Sequence, residues 1–523
     1  MIQQKNRKKY IVFILFLFLL AIFIRTFRFG EIPGGMNQDG AMAAVDAKAL
    51  AFYGTDRLGM RFPVHLTAWK FGQMSALLSY LMAPVIRLFG LSVTAVRIPS
   101  LIISLCGLAA LFLFSRKAFG NEYAAGILFF AAINPWHIIQ SRWALDCNLF
   151  PHFLMFGICC LYLGTKKTLY YYVSMIFFGL SMYCYGISLY TVPLFLLASC
   201  IYLLAKKEIT IRKILICAAV YFLVSWPFFV CMFINWLGLD TIDTPFFTIP
   251  YFPDTIRSSD ILFFSDHPLK QLSENFLSTL RILCQTYNWS ICNEVKGFGT
   301  MYSVSIPFML IGAILSFRQF RKNTGSAFVV FLFLTGILDG LITSNVNINR
   351  LNLIFYALII FSGTGIYRTA LFLKSGFTSS AAKFYLSVIT AVYLTVFSLF
   401  SWNYFTSYAA EVSDTFMEDF GNALTAVKDA DTEHYCITPD AQYPGFWYVS
   451  EVLTLFWHDI DADFYQSDDF SSKYAFRNPE PDEHPDGSSV YVLTADYADF
   501  FADSNYYLTQ YGRFLTAVPS FVS

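Results

Sequence analysis

Eleven apolar runs set the frame for this chain: 10–29, 98–114, 123–139, 149–163, 169–183, 188–204, 214–233, 301–317, 327–341, 351–366 and 384–400. Lipid offers the backbone no hydrogen-bond partner, and a helix satisfies its own, so such runs read as membrane-spanning helices. The first run is too long for a signal peptide and lacks a small-residue cleavage site, so it reads as a signal anchor. Only 14% of the 523 residues are charged and 56% are hydrophobic, which is too little charge for a soluble chain of this length. The expected fold class is a polytopic α-helical membrane protein of about eleven spans.

The connections alternate in charge. Lys5, Arg7, Lys8 and Lys9 precede the first run. Every second connection after it is basic, with Arg116, Lys117, Lys166, Lys167, Lys206, Lys207, Arg212, Lys213, Arg318, Arg321, Lys322, Arg368, Lys374 and Lys383. The positive-inside rule puts these segments and the N-terminus in the cytoplasm. Residues 30–97 and 235–300 then become long outer loops, 1–401 a transmembrane domain, and 402–523 an extracytoplasmic domain. That last segment is acidic, with Lys428, Lys473, Arg477 and Arg513 its only basic residues. It mixes helical and strand patterns: 416–427 as helix, 434–438 and 489–493 as strands, and 449–457 as either. A small α/β domain is expected, its acidity serving a solvated surface. Asp482, Glu483, His484 and Asp486 lie among prolines and read as loop.

The first outer loop is too polar for bilayer core and too apolar for a solvated linker. Asn37 or Asp39 is placed to cap a helix in which Ala43, Ala44, Ala47, Leu50 and Ala51 recur at helical spacing. Gly54 ends it, 55–63 reads as loop, and 73–89 is a second apolar-faced segment. The pattern is that of amphipathic helices lying on a membrane surface with a carboxylate at the edge. Most of the eleven cysteines sit in apolar runs; Cys284 and Cys292 fall in an outer loop and would be either a pair or two thiols. Asn288-Trp289-Ser290 matches a glycosylation sequon. No Gly-rich phosphate loop, zinc spacing or basic nucleic-acid face is present, so no nucleic-acid partner is expected.

Polar residues gather at outer span ends in three places. One holds Gln38, Asp39, Arg61, His65 and Lys70, a second His137, Arg142 and Asp146, and a third Asn345, Asn347, Asn349 and Arg350. Arginine forks suit phosphate, and a carboxylate can take a proton from a hydroxyl or help hold a divalent cation. The same residues have plainer readings: Asp39 as a helix cap, and Arg142 and Arg350 as interfacial anchors.

The stretches N-Q-D-G-A (37–41), G-T-D-R-L-G-M-R-F-P (54–63), S-R-W-A-L-D (141–146), Y-G-I-S-L-Y-T-V-P (185–193) and N-I-N-R-L-N (347–352) resemble the GT-C glycosyltransferases. Within them the chain is similar to the protein O-mannosyltransferases and the aminoarabinose transferases of lipid A. The resemblance implies a polyprenyl-phosphate-linked sugar as donor, a cell-envelope acceptor, and transfer on the outer face among membrane lipids. By position it implies Asp39 as the carboxylate that deprotonates or orients the acceptor and Asp146 as a second acidic residue near the donor. It implies Arg350, with Arg142, as the contact to the donor phosphate. Gln38, Arg61, Lys70, His137 and Asn349 stand close by in sequence as donor or acceptor contacts. The resemblance fixes no cofactor and leaves a divalent metal ion open; such an ion would fall to Asp39 and Asp146. Two departures bear on that: Gly40 stands where the mannosyltransferases carry Glu, and Gln73 where the aminoarabinose transferases carry an acid. Phosphate is a stable leaving anion, so the expected reaction is a single displacement that inverts the anomeric centre. The rival classes are a lipid or solute transporter and a non-catalytic partner in glycan assembly. A transporter should carry ionisable residues at mid-span depth, and Asp339 is the one such residue, near a span end.

Overall fold

The computed structural model describes residues 2–70, 72–253, 262, 266–285, 290–343 and 345–520. Asn288 and Trp289 of the sequon lie outside them. In chain order the first elements are α1 (Ile2–Thr26), α2 (Gln38–Phe52), β1 (His65–Ala68), β2 (Gly72–Ser75), α3 (Leu77–Phe89) and α4 (Val93–Ala118). There follow α5 (Asn121–Ala132), α6 (Pro135–Gln140), α7 (Asp146–Gly164), α8 (Leu169–Ser181), α9 (Ser188–Ala205) and α10 (Ile211–Leu237). Next come β3 (Ile242–Asp243), β4 (Thr248–Ile249), α11 (Pro268–Leu283), α12 (Ile306–Gln319), α13 (Thr324–Ile342), α14 (Ile354–Gly376) and α15 (Ser379–Phe405). The last stretch holds α16 (Ser407–Thr415), α17 (Glu418–Val427), β5 (Tyr435–Ile437), α18 (Trp447–Trp457), α19 (Ala462–Tyr465), α20 (Asp468–Lys473), β6 (Tyr474–Phe476), β7 (Val490–Thr494), β8 (Tyr506–Tyr511) and β9 (Phe514–Pro519).

All eleven apolar runs are helical, and among the described residues eight helices are long and apolar enough to cross a membrane. The other three runs are shorter for local reasons. The third breaks between α5 and α6, where Asn134 accepts from the His137 N–H and Pro135 takes the first helical position. At this helix end the carbonyls of Ala131 and Ala132 accept from the Arg25 guanidinium at 3.2 and 2.9 Å, Ala131 in addition to the Asn134 N–H. The eighth run starts with a 3-10 turn before Pro307 and yields a helix of 14 residues; the fifth yields 13. No disulfide joins Cys284 to Cys292 or any other pair among the described residues.

The chain divides into two units. The first comprises Met1–Phe29, Ser100–Val230 and Ile256–Thr406 and is all helical. Helices α12 and α14 approach closely, backbone against backbone. A Cβ on Gly312 would overlap the Phe361 carbonyl, and one on Gly365 the Phe308 carbonyl. Such small-residue contacts drive association where lipid is as apolar as the helix surfaces.

The second unit comprises Gly30–Pro99, Cys231–Thr255 and Ser407–Ser523. Its sheet runs β6-β5-β7-β9-β8, with β5 parallel to β6 and β7, and β9 antiparallel to β7 and β8. Cys436, Tyr491, Leu493, Phe501, Leu515 and Ala517 form a core on it. Residues 447–457 are helix, the alternative the alternating pattern left open.

The first loop differs from its expectation in two ways. Helix α2 does not lie on a surface with one apolar face, since Gly40 to Leu50 are buried all round. Its small alanines permit this, and its charges are matched internally. Asp46 pairs with Arg57 at 2.6 Å, and Lys48 with Asp459 and Asp461 at 2.7 and 2.9 Å. Helix α3 begins only at Leu77, because Gln73 belongs to a β1–β2 hairpin that the sequence reading left as loop and helix. Arg57 also donates to the Thr67 and Trp69 carbonyls at 2.8 and 2.6 Å, which fastens that hairpin to α2. Arg97 does the same for the loop's entry, donating to the carbonyls of Gly30, Pro33 and Gly35 at 3.3, 2.8 and 2.8 Å.

Beside this pair sits Asp56. Its Oδ1 accepts from the Leu58 and Met60 N–H groups, while its buried Oδ2 has no hydrogen-bond partner among the described residues. Burial, then the Asp46 carboxylate, push its pKa up to about 7 from 3.8, against those N–H groups and Arg57. A folded pKa above the unfolded one contributes stability that is complete below 3.8 and is lost as pH rises through about 7.

Two predictions follow from this packing. Gly312→Val and Gly365→Val each lower the melting temperature in detergent, at a cost of about 1–3 kcal/mol, whereas Gly376→Ala, with nothing near its Cβ, leaves it unchanged. Wild type loses thermal stability from about pH 5 to about pH 8, and Asp56→Asn flattens that slope; equal slopes would remove Asp56 as its source.

Candidate active site

In the second unit, Gln38 and Asp39 open α2 and are half-buried. Asn37 holds the N-cap position with extended backbone, but its side chain makes no capping bond. Its Oδ1 is buried with no hydrogen-bond partner among the described residues. Asp39 is therefore a first-turn carboxylate rather than the cap, at the positive end of the helix dipole. Arg61 is exposed, and its carbonyl accepts from the Thr248 N–H at 2.9 Å, tying the loop to β4. Lys70 is already matched: its ammonium lies 3.0 Å from Glu451 and 4.6 Å above the Trp447 ring, both on α18.

In the first unit, two of the expected site residues are enclosed. Arg142 is 0% exposed. It donates to the carbonyls of Ile24, Arg25 and Arg28 at 3.2, 2.9 and 3.0 Å and so closes the C-terminal end of α1. His137 is also 0% exposed; its Nδ1 faces Arg25 at 3.1 Å and its Nε2 the Tyr356 hydroxyl at 3.2 Å. His152 Nδ1 meets the same hydroxyl at 2.7 Å. This chain of buried polar groups fixes α1, α6, α7 and α14 to one another.

Asp146 and Arg350 remain half-buried. Asp146 is the first residue of α7, and its Oδ1 accepts from the Cys147 N–H at 2.7 Å. Arg350 lies in the turn before α14, its N–H held by Asn347 Oδ1 at 3.0 Å. Asn349, next to it, has a buried Oδ1 without a hydrogen-bond partner among the described residues. The residue that joins these two places is Asn352, absent from the sequence-derived groups. Its Nδ2 donates to the Cys147 carbonyl at 3.1 Å and its Oδ1 accepts from Trp136 Nε1 at 2.6 Å. It thereby anchors the Arg350 turn to the first turn of α7, where Asp146 stands. The signal was present in the last Asn of N-I-N-R-L-N, but flanking leucines hide it as part of a span.

Among the described residues no three His, Cys, Asp or Glu side chains gather as a metal-donor set. Asp39 and Asp146 each place a carboxylate in the first turn of a helix, one in each unit, and Arg350 places a guanidinium in the turn before α14. Carboxylates can accept a proton, and a guanidinium can hold an anionic oxygen.

The chain was compared with known proteins. A family model described as dolichyl-phosphate-mannose-protein mannosyltransferase matches residues 74–233. Sequence comparison with curated proteins finds no match. Among solved structures, ArnT from Cupriavidus metallidurans bound to undecaprenyl phosphate is similar, with a TM-score of 0.59 at 12% identity over 98% of this chain and 99% of that one. The archaeal oligosaccharyltransferase AglB from Archaeoglobus fulgidus, in complex with an inhibitory peptide and a dolichol-phosphate, gives 0.52 at 11% identity over 98% and 74%. The apo form of the Archaeoglobus fulgidus oligosaccharyltransferase gives 0.54 at 12% over 90% and 64%. The fold is thus the one these solved structures share, a multi-pass helical membrane body, here with a sheet domain after the last span.

Proposed function

We propose that this chain is a membrane glycosyltransferase that moves a sugar from a polyprenyl-phosphate donor to a cell-envelope acceptor. The observation that carries the reading is the likeness to ArnT bound to undecaprenyl phosphate over nearly the whole length of both chains. The family model, whose description is transfer of mannose from dolichyl phosphate, supports the same chemistry. The basic connections support a cytoplasmic N-terminus and transfer on the opposite, outer face.

In this reading Asp39 deprotonates or orients the acceptor hydroxyl, and Arg350 stabilises the charge that develops on the departing phosphate. Asp146 serves as a second carboxylate near the donor. Arg142 and His137 take no part, since their polar atoms are spent on α1 and Tyr356. The displacement is single: the acceptor oxygen bonds to the anomeric carbon as the bond to phosphate oxygen breaks, and the anomer inverts.

Purified wild type is expected to release polyprenyl phosphate from a sugar-loaded donor, assayed over a panel of polyprenyl-phosphate sugars with extracted envelope acceptors. Asp39→Asn should lower turnover by at least about 100-fold, the usual scale for loss of a positioned proton acceptor, with donor binding retained. Unchanged turnover would remove Asp39 from the chemistry; lipid movement without release would favour a transporter. The two arginines should separate cleanly. Arg350→Gln is expected to cut turnover while keeping the wild-type melting temperature. Arg142→Gln should lower the melting temperature and yield, because three helix-end carbonyls lose their donor.

A further inference from the structure

A cavity of about 250 Å³ lies in the first unit among α7, α8, α9 and α10. Leu161, Met175, Leu197, Cys200, Cys217 and Phe222 represent its lining, which is apolar nearly throughout. Of the two hydroxyls in the lining, that of Tyr221 faces Met182 Sδ at 3.2 Å, and Ser199 Oγ is buried with no hydrogen-bond partner among the described residues. Water gains nothing in such a space, which lacks the two to four polar partners a buried water needs. Leu197 and Phe222 are 58% and 55% exposed, so the cavity reaches the lateral surface of the helices, where lipid chains are the surrounding medium.

The charge at one end is distinctive. Ile209 and Ile214, which also line the cavity, flank the connection between α9 and α10. Lys206 and Lys207 follow α9, Arg212 and Lys213 begin α10, and Lys166 and Lys167 lie in the turn that joins α7 to α8 at the same end. All but Lys213 are exposed. The single carboxylate in this neighbourhood, Glu208, approaches the Thr324 hydroxyl at 3.1 Å. Six cations thus stand at the helix ends on the side of the slot that Ile209 and Ile214 line, outside the lining itself.

We propose that this slot is a binding site for an anionic phospholipid, with one acyl chain in the cavity and the phosphate against the basic rim. An apolar void in a close-packed bundle forfeits dispersion contacts unless something fills it, and a lipid chain is the available filler. The rim then selects headgroup charge, as juxtamembrane lysine and arginine clusters do. The site is separate from Asp39, Asp146 and Arg350 and does not depend on the reaction assigned to them.

The test uses the purified full-length protein in detergent with added phosphatidylglycerol or phosphatidylcholine of identical acyl chains. Phosphatidylglycerol should raise the melting temperature more than phosphatidylcholine and remain bound in native mass spectra. It should also slow maleimide labelling of Cys200 and Cys217 at least tenfold, while Cys106, which does not line the cavity, keeps its rate. Ala218→Phe, which fills the slot, should abolish the excess stabilisation with an unchanged elution profile. Lys206→Gln, Lys207→Gln, Arg212→Gln and Lys213→Gln together should reduce phosphatidylglycerol to the phosphatidylcholine level, and this second variant serves if the first does not fold. Equal stabilisation by the two lipids, or an excess that survives both variants, overturns the proposal. So does protection by undecaprenyl phosphate alone.

Discussion

Inside an apolar helix bundle every broken helix end must find its hydrogen-bond partner in the protein, because lipid supplies none. Two arginines meet that need in the first unit. Arg25 takes the carbonyls at the end of α5, and Arg142 those at the end of α1. Each does so with a planar fork that engages several oxygens at once, which a lysine could not match. The break after α5 is tolerable only because Arg25 is there. That break sets where α6 begins, and α6 carries the tryptophan that Asn352 receives. The turn holding Arg350 is thus positioned, through Asn352 and Trp136, by a chain of satisfied backbone and side-chain groups that starts at a helix end.

Much of the fold is readable from the residues because lipid imposes so simple a rule. All eleven runs are found as helices, and the start and stop of α2, with Asn37 before it and Gly54 after it, follow from local chemistry. The helix and two of the strands in the acidic segment follow from periodicity alone. What periodicity does not carry is pairing. Strand β6 takes its place from β5, far earlier in the chain, and β1–β2 and β8–β9 pair as short local hairpins. The surface placement of α2 fails for the same reason: Asp46 and Lys48 look like a solvent face until Arg57, Asp459 and Asp461 are seen to meet them.

The candidate site was legible to a lesser degree. Arg142 and Arg350 are the same residue type near span ends, and residue type cannot tell a clamp from a ligand. Packing separates them, since one is fully enclosed by backbone carbonyls and the other sits half-buried in a turn. Asp39 and Asp146 are alike in another respect: each stands in the first turn of a helix.

The pairing of Lys48 with the Asp459 carbonyl spans 411 residues of sequence. Together with Lys70 and Glu451, it means that α2 and its hairpin are completed by residues made last. During synthesis the segment bearing Asp39 must wait, its buried lysine without a counter-charge, until nearly the whole chain has emerged. A nascent or truncated product therefore has its spans but not a finished first loop, and this order of assembly keeps an incomplete chain from presenting Asp39 in its final setting.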